Sequence, residues 1–499
     1  MKTNKIKCIK IMEYLFFPLS LMLVGCSSTK DSSIDISENA PKPNILFIYT
    51  DDQAPWAIGS SGNKQAVTPN MDELAKLGIS FPNGYTTTPV CSPSRAGLLT
   101  SKYGFELGID DWINTHYKPA AMNGLEPELG LSQKEITWPE LLQENGYYTG
   151  LIGKWHLGIQ SEHHPTLHGY DEFIGFTKGG TKTSDPVLEI DSIEKKVNGL
   201  TADILTDYAI DFLSRKSDKP FLLSLHYRAP HTRWLPVAPE DEAPYKNMDI
   251  ILPDPDYPNL NAIKNKRFMK EYLSSVRSVD RNLGVLIEHL KSLSLYDNTL
   301  IIFTSDHGYN MGHNGIWHKG NGHWLLNTKV KNDNKNIPTD QKPNMYDNSI
   351  KVPTLVVWKG KIQPSSVNLT TLSNLDWFPT LMDVAGIEYD ATNIRGKSVM
   401  PALLNPNKVI STDYYAAYTT KHQSITGMRM YSDGKHKLVK DFINPNRDEF
   451  YDLVNDSKES FNIISSDVQA HKNKIKEFSQ IIYDTMIKTN DPLQDLLQE

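Results

Sequence analysis

Asp51 and Asp52 stand just after a short apolar run, residues 45–49, and Asp306 with His307 stands just after another, residues 300–303. Adjacent carboxylates repel each other unless a cation neutralises them. A hard divalent ion is the natural partner for such oxygen donors. A helix cap or a hydrated turn would account for one acidic pair alone; the same placement twice favours a metal site. Two more polar clusters end apolar runs: Lys154 with His156, and His226 with His231.

These side chains need a scaffold that brings four distant regions together. Residues 45–49, 148–152, 221–225, 300–303 and 352–357 read as buried strands. Helices are expected over 71–77 with Asn70 as cap, and over 136–144 and 200–213. Tyr272, Val276, Val279, Leu283, Leu286 and Leu290 recur at spacings of 3 and 4, the pattern of a long helix with one buried stripe. Strands alternating with helices predict an α/β fold with a mostly parallel sheet covered on both faces. In such sheets the site forms beyond the carboxyl ends of the strands, so the four clusters should share one pocket. The Pro-rich stretch 230–258 reads as a long irregular insertion and a candidate wall of that pocket. After about residue 405 short strands are expected at 414–418, 427–430, 435–439 and 451–453, then a helix at 470–488. That is a small antiparallel sheet with a terminal helix.

The chain has 499 residues, 39% apolar and 22% charged. That supports a large core and excludes wholesale disorder. Its 52 Lys and Arg against 59 Asp and Glu give a formal charge of −7. This argues against a nucleic-acid partner but leaves room for a local basic pocket. Only three cysteines are present, Cys8, Cys26 and Cys91, which excludes a disulfide-dense scaffold and a four-cysteine zinc site. Lys2, Lys5, Lys7 and Lys10 precede a mostly apolar stretch, residues 11–24, interrupted by Glu13. This is too short for a span and fits a signal peptide. Its end, Leu23-Val24-Gly25-Cys26-Ser27-Ser28, resembles a bacterial lipoprotein signal, in which cleavage precedes a cysteine that takes the lipid. Residues 1–25 are then a signal peptide and 26–41 a flexible tether. An ordinary secretory peptide or a short anchor is the alternative. With Cys8 removed and Cys26 lipidated, Cys91 is the free thiol that still needs a role.

The run Cys91-Ser92-Pro93-Ser94-Arg95-Ala96-Gly97-Leu98-Leu99-Thr100 resembles the signature of the type I, formylglycine-dependent sulfatases of the alkaline-phosphatase-like superfamily. In that family the cysteine is oxidised after translation to formylglycine (3-oxoalanine), and the Pro and Arg belong to the element read by the maturation enzyme. Further blocks follow in family order. Residues 44–52 resemble the opening strand with its metal pair, and Gly153-Lys154-Trp155-His156-Leu157-Gly158 the second block. Ala229-Pro230-His231 resembles the sulfate-binding block. Residues 304–308, with Gly312-His313 and Trp317-His318-Lys319, resemble the block that supplies late metal ligands and a lysine. Residues 374–381 and 449–453 resemble late structural blocks. The resemblance implies an alkaline-phosphatase-like sandwich whose catalytic unit spans 42–405, with a C-terminal subdomain at 406–499.

It also implies a reaction. A sulfate ester is a poor electrophile shielded by negative oxygens, so it needs an activated nucleophile and local positive charge. The resemblance assigns Asp51, Asp52, Asp306, His307 and residue 91 to one Ca²⁺ ion; many relatives carry Asn where His307 stands. Hydrated formylglycine at position 91 supplies a geminal-diol hydroxyl, which Arg95 and Lys154 hold and polarise. His156 assists proton removal when the sulfated intermediate collapses to the aldehyde. His231 and Lys319 grip the sulfate, together with Lys154, and one of the first two protonates the leaving alcohol. His226 either lines the pocket and meets substrate or packs as a core histidine. His313, His318 and His323 are either substrate contacts or ordinary surface residues. Trp56, Tyr103, Trp112, Trp234, Trp317 and Trp324 either stack on sugars or belong to the core.

The expected activity is hydrolysis of sulfate esters on a sulfated poly- or oligosaccharide. The expected location is the bacterial cell envelope, periplasmic or at the outer-membrane surface, with the membrane reached through the lipid on Cys26. A formylglycine-generating or anaerobic sulfatase-maturating enzyme would be a partner during biogenesis. A phosphodiesterase or phosphonate hydrolase of the same superfamily is one alternative. A non-catalytic glycan-binding lipoprotein with unconverted Cys91 is the other.

Overall fold

The strand Asn44–Thr50 is buried along its whole length because apolar side chains leave it on both faces. Leu46 and Ile48 meet one cluster, with Leu205 and Ala209 from the helix Thr201–Ser214 and Leu283 and Leu286 from the helix Ala262–Ser292. Ile45, Phe47 and Tyr49 meet the other, with Leu98, Trp138, Trp377 and Leu381. A continuous apolar run is what a strand covered on both sides requires. The computed structural model describes residues 41–114, 128–215, 217–331 and 334–497.

Five strands form the parallel centre of a ten-stranded sheet, in the order Thr299–Ser305, Asn44–Thr50, Phe221–His226, Tyr148–Lys154 and Glu172–Phe176. The flanks turn antiparallel: Leu355–Trp358 runs against Thr299–Ser305, and Val187–Ile190 against Glu172–Phe176. Asp51, Lys154, His226 and Asp306 therefore stand at the carboxyl ends of four neighbouring strands.

Two local expectations are corrected. Asn70 is not a cap: the helix is Pro69–Leu77, and the carboxylate of Asp280, on the long helix, accepts from the backbone N–H groups of Asn70 and Met71 at 3.0 and 2.8 Å. A helix end can be satisfied from a distant element as well as by its own flanking residue. The insertion 230–258 is not wholly irregular, since Pro239–Lys246 is helical. Pro239 suits a first turn, and Glu240, Asp241 and Glu242 favour that end of the helix dipole. Arg281 of the long helix fastens it through Asp241 at 2.9 Å.

The C-terminal sheet is antiparallel, in the order Tyr414–Thr420, Thr426–Ser432, His436–Asp441 and Glu449–Asp452. Phe478, Ile482 and Met486 of the helix Gln469–Lys488 bury one face against Leu438 and Phe450. Tyr414, Ala416, Tyr418 and Met430 bury the other against Val90 and Ile350. Residues Lys42–Glu499 form one compact unit. The signal peptide and Cys26 lie outside the described residues, as does the tether up to residue 40. Among the described residues no helix is long and apolar enough to cross a membrane.

Candidate active site

Cys91 is the first residue of the helix Cys91–Thr100, every residue of which is buried. The exposed N–H groups of a helix start favour negative charge at that end. The helix is held from three sides. Ser94 donates to the Asp306 carbonyl at 2.5 Å, and Asn374 Nδ2 donates to the Ser94 carbonyl at 2.8 Å. Asn374 Oδ1 accepts from Thr87 N at 2.9 Å, so it braces the approach to Cys91 as well. Arg95, one turn on, aims its guanidinium at Asp306 Oδ2 from Nε at 3.1 Å and Nη2 at 2.9 Å. It also donates to the Lys154 carbonyl at 3.2 Å and lies 5.2 Å from the Tyr49 ring centre.

The acidic side chains meet behind the sulfur. Asp52 has a positive φ of 70°, an uncommon conformation for a residue with a side chain. Its backbone is tied down accordingly: its N–H donates to Asp306 Oδ1 at 3.0 Å, and Tyr272 Oη donates to its carbonyl at 2.7 Å. Lys154 Nζ reaches Asp51 Oδ2 at 2.7 Å. Gly153, at φ 116°, lets the strand turn there; a Cβ would strike the His226 carbonyl. Lys319 Nζ donates to Asp52 Oδ1 at 2.8 Å and to Cys91 Sγ at 3.0 Å. His307 Nε2 lies 3.5 Å from Cys91 Sγ and 3.1 Å from Asp52 Oδ1, while Nδ1 faces the Gly308 carbonyl at 3.0 Å.

Burial and charge act against each other throughout. Burial works to raise the Cys91 thiol, but Lys154 and Lys319 hold it well below the ordinary thiol value. Burial likewise opposes ionisation of Asp51 and Asp52, yet Lys154 beside the first and Lys319 beside the second keep both below the usual carboxylate range. Asp306 has the opposite fate: burial and the Asp51 charge push it up to about 7. Burial disfavours a charged His307, but Asp306 outweighs it and raises the imidazole to about 9. Burial lowers His156 to about 4 and lowers His231 as well.

The cluster suits a cation. Ligand atoms of Asp51, Cys91, Asp306 and His307 lie within 4.8 Å of one another, as do those of Asp51, Asp52, Cys91 and His231. Asp52 Oδ2 is buried and has no hydrogen-bond partner among the described residues, so one carboxylate oxygen is left for a ligand. The three carboxylates are hard oxygen donors that suit Ca²⁺, and His307 adds one softer imidazole nitrogen.

Most residues singled out in the sequence thus converge here. A cavity of about 330 Å³ opens over Cys91, lined by His156, His231, His318 and Lys319 among others. His226 does not line it: its ring lies 5.2 Å from Tyr49, and Nδ1 faces the Lys154 carbonyl at 3.1 Å. His313 packs on Trp56, and His323 on Trp317. Of the six aromatics named above, Trp112 lines the cavity; Trp234 and Trp317 pack on Phe268, and Tyr103 stacks on Phe105. Sequence reasoning missed Tyr418 and Gln423, which the C-terminal sheet and its first turn bring to the cavity, and Lys178, Gly179 and Asn321. None carries a local signal, because each is an ordinary residue type placed by a distant contact.

Comparison with known proteins agrees with this geometry. A family model described as sulfatase matches residues 43–387, and one described as N-sulphoglucosamine sulphohydrolase, C-terminal, matches 340–485. The N-acetylglucosamine-6-O-sulfatase of Bacteroides thetaiotaomicron is 27% identical, with 96% of this chain and 92% of that protein covered. A structure solved with its substrate D-glucosamine-2-N,6-O-disulfate superposes with a TM-score of 0.75 at 25% identity, covering 90% of this chain and 99% of that one. A structure solved with a neocarrahexaose gives 0.71 at 26% identity, covering 92% and 95%. With most of its length matched and its cysteine set among two lysines and three aspartates, the chain belongs to the type I, formylglycine-dependent sulfatase family.

Proposed function

We propose that the protein removes sulfate from a sulfated oligo- or polysaccharide, using formylglycine made from Cys91 and one Ca²⁺ ion. The observation that carries the reading is the bridge made by Lys319 Nζ, 3.0 Å from Cys91 Sγ and 2.8 Å from Asp52 Oδ1. It ties the nucleophile position to the acidic cluster and places a cation beside both. Asp51, Asp52, Asp306, His307 and residue 91 would hold the ion. Bound there, the ion would offset the charge on sulfate oxygens, and the converted residue 91 would supply the attacking oxygen.

The chain's own side chains do the rest. Arg95 is fixed by two bonds to Asp306, so its charge stays aimed beneath residue 91. Lys154 and Lys319 give the local positive charge that a sulfate monoanion requires. Burial lowers His156 to about 4, so it is uncharged near neutral pH, and it interacts with Cys91, which sets it beside residue 91 as a proton acceptor. The side chain of His231 is 23% exposed, whereas that of Lys319 is 7% exposed. The greater exposure supports a role for His231 at the opening, protonating the ester oxygen that leaves with the sugar.

The test pairs mass with turnover. Conversion of cysteine to formylglycine lowers the mass of the peptide containing residue 91 by ~18 Da. Protein carrying that change should release inorganic sulfate from sulfated sugars, and unconverted protein should not. Release from neither would reject the reading.

The ion should also show in melting. Asp306 and His307 both have folded pKa values above their ordinary ones, at about 7 and about 9. The stability they contribute is complete at low pH and is lost as pH rises through those values. A bound cation competes with their protons. The rise in Tm on adding Ca²⁺ to chelator-treated protein should therefore grow from pH 5 to pH 9. A rise that shrinks with pH would count against these two ligands.

We further propose that the N-terminal cysteine Cys26 is lipidated and that residues 26–41 tether the enzyme to the cell envelope. The basic start, apolar stretch and Gly25-Cys26 junction support this. The change of sheet near residue 405 supports a catalytic unit at 42–405 and a subdomain at 406–499. A formylglycine-generating or anaerobic sulfatase-maturating enzyme would act on Cys91 before the chain folds.

A further inference from the structure

A second cavity, of about 730 Å³, adjoins the one over Cys91. Lys178 and Gly180 line both, so the two spaces meet along one loop. The cavity over Cys91 has room for one sugar, and the larger one for its neighbours.

The lining of the larger cavity is basic. Lys178, Lys182, Arg228 and Arg233 face Glu189 and Glu194. Both acids have partners: His164 Nε2 lies 2.9 Å from Glu189, and Lys178 Nζ lies 3.7 Å from Glu194. Among the described residues, Lys182, Arg228 and Arg233 have no carboxylate within 4 Å. Arg228 is 6% exposed. It donates only to backbone carbonyls: those of Thr181 at 3.1 Å, His231 at 2.6 Å, Thr232 at 2.6 Å and Arg233 at 2.5 Å. Burial lowers its pKa to about 10, and the charges of Asp51 and Asp52, neither of them bonded to it, offset only part of that cost. In a chain of net charge −7, three cations without a close ion pair among the described residues stand apart around one concave surface. They line the cavity that joins the one over Cys91 along Lys178 and Gly180. Arg228 also holds the His231 carbonyl, so the same guanidinium links this surface to the leaving-group side.

We infer that this cavity receives a second anionic group, a carboxylate or a sulfate, on the sugar next to the one that loses its sulfate. The inference rests on the sulfatase reading above and narrows its substrate to multiply charged oligosaccharides.

Calorimetric titration of the unconverted protein tests it without turnover. The probes are three disaccharides with the same scissile sulfate, whose second sugar is neutral, a uronate or sulfated. At least one charged probe should bind about tenfold more tightly than the neutral one. The Lys182→Ala/Arg233→Ala double variant should lose that preference. The uronate and sulfate arms show which anion the cavity takes. Equal affinity for all three probes, no binding of any, or a preference unchanged in the double variant would overturn the inference. Sulfate release by converted protein is measured in parallel. Release without a charge preference defeats only this inference, while no release defeats the hydrolytic reading.

Discussion

Cys91→Ala leaves a folded protein that no longer releases sulfate. The loss expected is about 10⁴-fold or more, since removing a nucleophile leaves only the contribution of binding and charge. Stability should change by about 1 kcal/mol or less, because the thiol is small and Asp51 and Asp52 keep Lys154 and Lys319 paired without it. Measuring turnover and Tm together separates the two outcomes. Retained turnover would reject the nucleophile assignment. Cys91→Ser is informative in the same assay. It should be equally dead toward sulfate esters, and turnover of a phosphodiester by that variant would favour the phosphodiesterase alternative.

Asp52→Ala should remove the bound ion as well as the activity. Asp52 is the carboxylate whose second oxygen has no hydrogen-bond partner among the described residues, with His231 Nε2 4.0 Å away, while its first is shared by Lys319 and His307. Deleting it leaves Lys319 buried without its closest anion, which costs about 3–5 kcal/mol. Metal analysis should fall from about one equivalent to none, and turnover by about 10³-fold or more. A variant that keeps its metal stoichiometry would remove Asp52 from the ligand set. Asp52→Asn retains the shape and tests charge alone. It should bind the ion more weakly than the parent and melt above Asp52→Ala.

Much of the frame was legible because it is local. Residues 45–49 and 300–303 read as strands buried on both faces, and the stripe from Tyr272 to Leu290 as one face of a long helix, and both are so. The pair Asp51-Asp52 and the Asp306-His307 cluster announced themselves by position, each at the carboxyl end of a strand. What stayed hidden depends on contacts between distant residues. Nothing near Asn70 shows that Asp280 satisfies the N–H groups there, or near Asp52 that Tyr272 grips its carbonyl. His226 sits at a strand end just as Lys154 does, yet its ring turns to Tyr49 while Lys154 reaches the acids. Strand register decides between them, and register is not written in either segment. Trp112 was one aromatic among six, and only the fold distinguishes it from those that fill the core.

The bridge between Lys319 and Cys91 also sets a clock. The two residues are 228 positions apart in the chain. At about 5–20 residues per second of synthesis, roughly 10–45 s pass between the emergence of one and the other. Until the second arrives, the sulfur lacks the amine that closes over it, and the strand Thr299–Ser305 that completes its surroundings is itself only just made. In the finished protein Cys91 is 3% exposed and its helix is buried throughout. An agent as large as an enzyme has that interval, or any later period in which the chain is kept unfolded, to reach the thiol. Slowing translation between residues 91 and 319 would lengthen the opportunity without altering a single residue.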